Sequence, residues 1–378
     1  MRALVLLIAI AESAAAIVDD KTQQKVQAVS ADAKVQQFYE LFLRQRHEDS
    51  LLQVRPLGAD DFDCKYGFPS KKYPSSAHAL RPGDIRHVAA MGDSLSAANG
   101  AGAVTLIGVA FEYRGLSFAG GCDKDLGKMA TLPNVLRYFN AGLSGCSVGI
   151  GKYDKYSVAR FNVAVPGSQA HNLPDQVDYL AKTMKRHLTP TEFNYEVVMA
   201  AKKRIPRLFV NIASVPQVQM LFELDSSSLY CRTVNRIECP CIKEKNLPNA
   251  KKVLLRRAYA YYRELYKLME RKESVNSDDF AIAVQPFVTF AERAPRKKNG
   301  KIDRSFFAPD CFHFHRKAHD TVGQILWNNL IQPVGAKTKY RTLSDFAGIR
   351  CPRKGCPFLR TIKNSVSCRK YLKMNPEE

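Results

Sequence analysis

Beyond its N-terminus, the 378-residue chain has no apolar stretch near the roughly 20 residues that a membrane-crossing helix needs, and no apolar C-terminal tail for a lipid anchor. An integral membrane protein is therefore not expected. No Asn-x-Ser/Thr sequon is present, so N-glycosylation is not expected either. The ten cysteines include no C-x-x-C pair and stand beside no His-x-x-x-His, which argues against a zinc module; no metal and no cofactor is expected. Acidic residues are the scarce charge, 36 against 57 Lys and Arg, for a net charge of +21. The densest basic runs (202–204, 251–257 and 296–298) lack an aromatic ladder on which bases could stack. Nucleic acid is disfavoured as a partner, and attraction to anionic lipid headgroups is the functional reading of the charge, set against a merely solvated basic surface.

What is present fits a globular chain with a sizeable core, at 46% hydrophobic content. Met1-Arg2, an apolar run from Ala3 to Ile10 and the small residues at 13–16 have the layout of a cleaved leader, so residues 1–16 are expected to direct secretion. All ten cysteines lie beyond that leader, and their even number in an exported chain favours disulfides, with the pairing left open. Residues 17–60, with helical spacing over 31–46, are a helical lead-in to the main domain, 61–335; a basic, cysteine-bearing tail, 336–378, follows.

The chemistry-bearing stretch is His87-Val88-Ala89-Ala90-Met91-Gly92-Asp93-Ser94. An apolar run that stops at a glycine, an acid and a serine suits a buried strand (85–91) that turns sharply to present the Ser94 hydroxyl at a sheet edge. The same tripeptide is ordinary turn chemistry, so its companions decide. A strand over 161–165, closed by Pro166-Gly167 and followed by a helix over 173–186, repeats the design and points the Gly167 amide at the same edge. Further strands are expected over 206–215 and 280–288, a long helix over 250–271 and a closing helix over 317–330. Asp310-Cys311-Phe312-His313 sets an acid three residues before a histidine, close enough for the carboxylate to hold the imidazole in its proton-accepting tautomer. His315 and His319 lack such an acid.

With these residues in view, the chain resembles the GDSL (SGNH) family of serine esterases and, within it, the animal phospholipases B. The resemblance runs from about Asp63 to Ser365 and includes Gly92-Asp93-Ser94-Leu95, Tyr113-Arg114-Gly115-Leu116-Ser117, Asn162-Val163-Ala164-Val165-Pro166-Gly167 and Phe306-Phe307-Ala308-Pro309-Asp310-Cys311-Phe312-His313. It implies Ser94 as nucleophile, His313 as general base and Asp310 as its orienting acid. The amides of Ser94 and Gly167 would be two oxyanion donors, and the substrates acyl esters of phospholipids or lysophospholipids. It also implies a three-layer α/β/α sandwich on a mostly parallel sheet.

One block of that family is absent: a strand ending in Gly-x-Asn-Asp, whose asparagine is the third oxyanion donor. It belongs between Gly167 and the 206–215 strand, where the sequence has instead the 173–186 helix, a short connection and a helical segment over 193–203. Asn211 is no substitute, because Phe209-Val210-Asn211 matches a later strand of the family. Loss of one donor costs roughly two to three powers of ten in rate, so activity is expected to be impaired. The alternative is an inactive lipid-binding chain or a truncated variant. Loss of the strand leaves a sheet lacking one interior member.

Overall fold

The central strands are apolar along their whole length because both of their faces are covered. The computed structural model describes residues 3–9, 37, 40–42, 44, 48, 57–188, 208–214, 216–238, 249–267, 276–286 and 288–375. Its sheet has four strands, β1 (Ala3–Ala9), β2 (Ile85–Met91), β3 (Leu208–Ala213) and β4 (Phe280–Gln285), ordered β2-β1-β3-β4 and all parallel. Every residue of β3 and β4 is buried, and in β2 only Arg86 is partly exposed.

Side-chain alternation sorts these strands onto two helical layers. Phe209 and Ala213 of β3 point to one side, with Ile85, Val88 and Ala90 of β2, and pack with α2 (Leu132–Phe139) and α7 (Arg316–Leu330). Helices α4 (Met220–Ser227) and α5 (Leu229–Glu238) extend that layer. Leu208, Val210 and Ile212 point the other way, toward α3 (Leu173–His187) and α6 (Ala250–Leu265). The remaining labelled helix, α1 (Ser94–Ala97), is a single turn at the carboxyl edge of β2. The result is the expected three-layer α/β/α sandwich.

The sheet, expected to lack one interior strand, has no open position between β2 and β3. β1 lies there, pairing with β2 from Leu4↔His87 to Ile8↔Met91 and with β3 from Leu4↔Leu208 to Ala9↔Ala213. The residues with the pattern of a leader are thus an interior strand of this fold.

The expected strand over 161–165 is reduced to one bridge, Ala90↔Asn162. Its backbone still runs alongside β2, with Val163 N–H bonded to Ala90 O at 2.9 Å and Val165 N–H to Gly92 O at 3.1 Å. The Asn162 side chain competes with a regular ladder, its Oδ1 accepting the Ala164 N–H at 3.2 Å. Strand β4 ends at Gln285, short of the expected boundary; α6 is α-helical to Leu265 and π-helical over 266–267, and 268–271 lie outside the described residues. The helical segment over 193–203 lies outside the described residues, as does most of the one over 31–46; of the latter, Phe42 is buried against Tyr230.

Four disulfides join Cys64 to Cys351, Cys122 to Cys146, Cys231 to Cys311 and Cys356 to Cys368. Cys239 and Cys241 lie outside the described residues. The C-terminal residues are tied to the core beyond these bonds: Leu359 N–H meets Leu80 O at 2.9 Å, and Asn364 Nδ2 donates to His78 O at 2.8 Å.

Two buried histidines make the fold sensitive to acid. Burial pushes His78 down to about 4, helped by nearby Lys363, and burial pushes His319 down to about 3, helped by His313. The unfolded chain takes up these protons near the ordinary value of 6.5, whereas the folded chain takes them up only near the lowered values. Stability is therefore full above that value and falls as pH drops toward 4, by about 2 kcal/mol per histidine at a pH of about 5. Urea midpoints at about pH 8 and pH 5 check this; equal midpoints would mean that these rings are not neutral in the fold.

Candidate active site

Ser94 is presented by a tight turn that Gly92 and Asp93 shape. Gly92, directly after β2, has φ +136°, a conformation strained for any side chain. Asp93 then caps α1, its Oδ1 accepting the Leu95 N–H at 2.9 Å, and Ala98 ends the helix in the left-handed region. The turn is held from below at one carbonyl: Ser96 O accepts from Ser117 Oγ at 2.7 Å and from Asn162 Nδ2 at 3.0 Å. Ser94 is 3% exposed, and its Oγ has no hydrogen-bond partner.

Gly167 lies in a second turn beside the first, with φ +77°. Gln176, in the first turns of α3, joins the two. Its Oε1 accepts the Gly92 N–H at 2.9 Å, and its Nε2 donates to Gly92 O at 2.8 Å and to Ser168 Oγ at 3.0 Å. One side chain thereby fixes the peptide before the Ser94 turn relative to the Gly167 turn. Its signal in the sequence is positional: 173, 176, 177 and 180 share one helix face, and a glutamine on that buried face needs partners. Gln176→Leu is expected to lower kcat/KM about a hundredfold by misplacing both turns. Steady-state kinetics against an acyl ester checks this, and a loss below threefold would remove Gln176 from the positioning role.

The acid–base pair sits on the loop before α7. A Phe307↔Phe314 bridge closes the loop, and Ala308 N–H bonds His313 O at 2.8 Å. Cys311, in the left-handed region, is bonded to Cys231 of α5, and the Tyr230 hydroxyl donates to Pro309 O at 2.8 Å. Asp310 is wholly buried: Oδ1 accepts the Phe312 and His313 N–H groups, each at 3.0 Å, and Oδ2 lies 2.5 Å from His313 Nδ1. Burial works to raise its pKa, but the adjacent His313 ring and the two backbone donors prevail and hold it below the usual carboxylate range. With Nδ1–H donating to the carboxylate, Nε2 is the ring nitrogen left free to accept a proton, and it is buried without a partner.

The other two histidines are placed differently. His319 is buried, stacks on Phe118 and accepts the Phe118 N–H at its Nδ1, a core role. His315 caps α7.

Asp310 and His313 are thus in direct contact. Their loop borders the Ser94 turn through Arg316 N–H to Ala101 O at 2.7 Å and through Ala308 packed by Gly100. No hydrogen bond joins Ser94 Oγ to His313 Nε2. A pocket of about 420 Å³ lies beside Gly167, with Tyr153, Val165, Asp175 and Tyr179 among its walls; Ser94 is not one of them.

Farther along the carboxyl edge, the loops after β3 and β4 run together, with Ser214 N–H to Gln285 O and Gln217 N–H to Val288 O both at 3.4 Å. Ser214 Oγ, both amide atoms of Gln217, Gln285 Nε2 and Thr289 Oγ1 are buried there without partners. The strand pattern gave no sign of this polar wall. Asn211, in the middle of β3, is likewise buried with both amide atoms unpaired. Among the described residues no group of three His, Cys, Asp or Glu side chains could hold a metal ion, and no helix is long and apolar enough to cross a membrane.

No protein-family profile matches the chain. It is similar to human "Phospholipase B1, membrane-associated", 35% identical over 360 residues, which cover 85% of this chain and 24% of that protein. The mouse protein of the same name is 36% identical over 344 residues, or 81% and 23%, and the rat protein 35% over 357 residues, or 83% and 24%. The chain thus matches over most of its own length and spans about a quarter of the length of these relatives.

Proposed function

We propose that this chain is a phospholipase B-like serine esterase of the GDSL type that hydrolyses acyl esters of phospholipids or lysophospholipids. The observation that carries the reading is the Asp310–His313 pair: a wholly buried carboxylate, held ionised by two N–H groups and contacting Nδ1, leaves Nε2 bare on a loop that borders the Ser94 turn. The relatives' name supplies the phospholipid substrate class. Ser94 Oγ attacks the acyl carbonyl carbon and gives its proton to His313 Nε2. The resulting oxyanion is met by the Ser94 and Gly167 amides. His313 returns the proton to the departing alcohol, and a water activated by the same ring releases the acyl group from Ser94.

The missing Gly-x-Asn-Asp block leaves this site short of its third donor, so turnover is slower by roughly two to three powers of ten than with a full oxyanion hole. The four disulfides are consistent with a secreted protein. Export by a cleaved 1–16 leader is our reading of the N-terminus, and the mature chain would then have to close the position that β1 fills. A fluorophosphonate probe tests the catalytic claim. The expected result is a Ser94 adduct on the folded chain and lysophospholipid turnover that disappears in Ser94→Ala. No adduct and no turnover would leave a catalytically silent lipid-binding chain, a reading favoured by the absence of a Ser94–His313 hydrogen bond.

A further inference from the structure

Of the ten large apolar side chains exposed among the described residues, five sit on two neighbouring loops near Ser94. Val104, Ile107 and Phe111 are on one loop, and Val148 and Ile150 on the other; Ile107 is 80% exposed and Val104 69%. Backbone hydrogen bonds join the loops, from Gly115 N–H to Gly149 O at 2.9 Å and from Gly151 N–H to Glu112 O at 3.0 Å. Phe111 and Ile150 each immediately precede a member of that second bonded pair. The first loop is also tied to the Ser94 turn, by Gly100 N–H to Phe111 O and Tyr113 N–H to Ala98 O, both at 3.2 Å. Its inner side, Ala103 and Val109, packs on Ala308, two residues before Asp310. The loop is therefore anchored beneath and apolar outside.

Single exposed apolar residues need no explanation, but a cluster at the margin of a candidate site does. The distribution of charge sharpens the point. Residues 94–111 contain no Asp, Glu, Lys, Arg or His, in a chain that is 25% charged with a net charge of +21. Cations border the uncharged face: exposed Arg316, bonded through its N–H to Ala101 O, on one side, and exposed Lys152 and Lys155, with Asp154 between them, beyond Ile150. An apolar centre with a cationic rim matches the boundary between anionic headgroups and acyl chains.

We propose that this face docks on the surface of an anionic phospholipid bilayer. Ile107 and Phe111 enter the acyl boundary, and Arg316 and Lys152 meet the headgroups, so that an acyl ester reaches Ser94 without first crossing water. The choice of a lipid occupant rests on the lipid-ester reading of the Ser94 site.

The test uses full-length Ser94→Ala protein, so that nothing is hydrolysed, and vesicles of about 70% phosphatidylcholine and 30% phosphatidylserine. Adding Ile107→Asp and Phe111→Asp together is expected to lower vesicle partition at least about tenfold. Val366→Asp, at an equally exposed apolar position in the C-terminal region, is expected to change it less than about twofold. Ile107→Trp provides a second readout, because the chain's one tryptophan, Trp327, is fully buried. Its emission should shift to the blue when vesicles are added. Unchanged partition in the double variant, an equal loss in Val366→Asp, or no shift from Ile107→Trp would each overturn the docking face. Hydrolysis of a water-soluble short-chain ester by the protein with Ser94 intact decides the catalytic reading separately.

Discussion

Asp310→Asn is expected to lower kcat by about ten-thousandfold while leaving the folded chain intact. In the native loop the carboxylate accepts three hydrogen bonds, from the N–H groups of Phe312 and His313 and from His313 Nδ1. An asparagine side chain keeps the volume and can still accept the backbone donors through its carbonyl oxygen. Its NH2 group then faces Nδ1, which must become the acceptor, so the ring proton moves to Nε2, the atom that has to take the proton of Ser94. The base is thereby blocked without being removed. The Cys231–Cys311 bond and the Tyr230–Pro309 contact hold the loop whichever residue occupies position 310. Steady-state kinetics and the rate of fluorophosphonate labelling should fall together, with the thermal transition little changed. A kcat within tenfold of the parent would show that His313 is not oriented by this carboxylate.

What could be read in advance was what is local in the chain. The Ser94 turn is written in consecutive residues, an apolar run and then Gly92, Asp93 and Ser94. The Asp310–His313 pair spans four positions, so its geometry follows from one tight loop. Helices α3 and α7 announce themselves by periodicity. Features that depend on distant partners were not legible. Gln176 matters because Gly92 and Ser168 come to it, and the unpaired polar atoms at Ser214, Gln217, Gln285 and Thr289 are brought together only when two loops run side by side. Residues 3–9 are the instructive case. A leader and an interior parallel strand make the same demand on sequence, an uninterrupted apolar run, so periodicity cannot separate them.

That ambiguity yields the second large effect. Removing residues 1–16 is expected to abolish the cooperative unfolding transition. β1 pairs at six positions with β2 and at six with β3, and it is the only strand between them. Without it the inner edges of both neighbours lose their hydrogen-bond partners, at about 1–3 kcal/mol for each group that stays buried. A handful of such groups is comparable to the roughly 5–15 kcal/mol that stabilises a typical domain. β2 and β3 could close the gap only by shifting the helices on both faces. β2 carries the Ser94 turn, while β3 leads to α4, α5 and, through Cys231, to the His313 loop. The site and the sheet therefore fail together, and a chain that loses the segment on export has to refill the slot from elsewhere. The comparison is between full-length protein and a chain beginning at residue 17, both refolded without export, with Leu6→Pro as a point variant that breaks the same ladder. Both altered chains should lose the thermal transition and the Ser94 adduct. A truncated chain that unfolds at the full-length temperature with the same denaturant dependence would show that β1 is dispensable to the sheet.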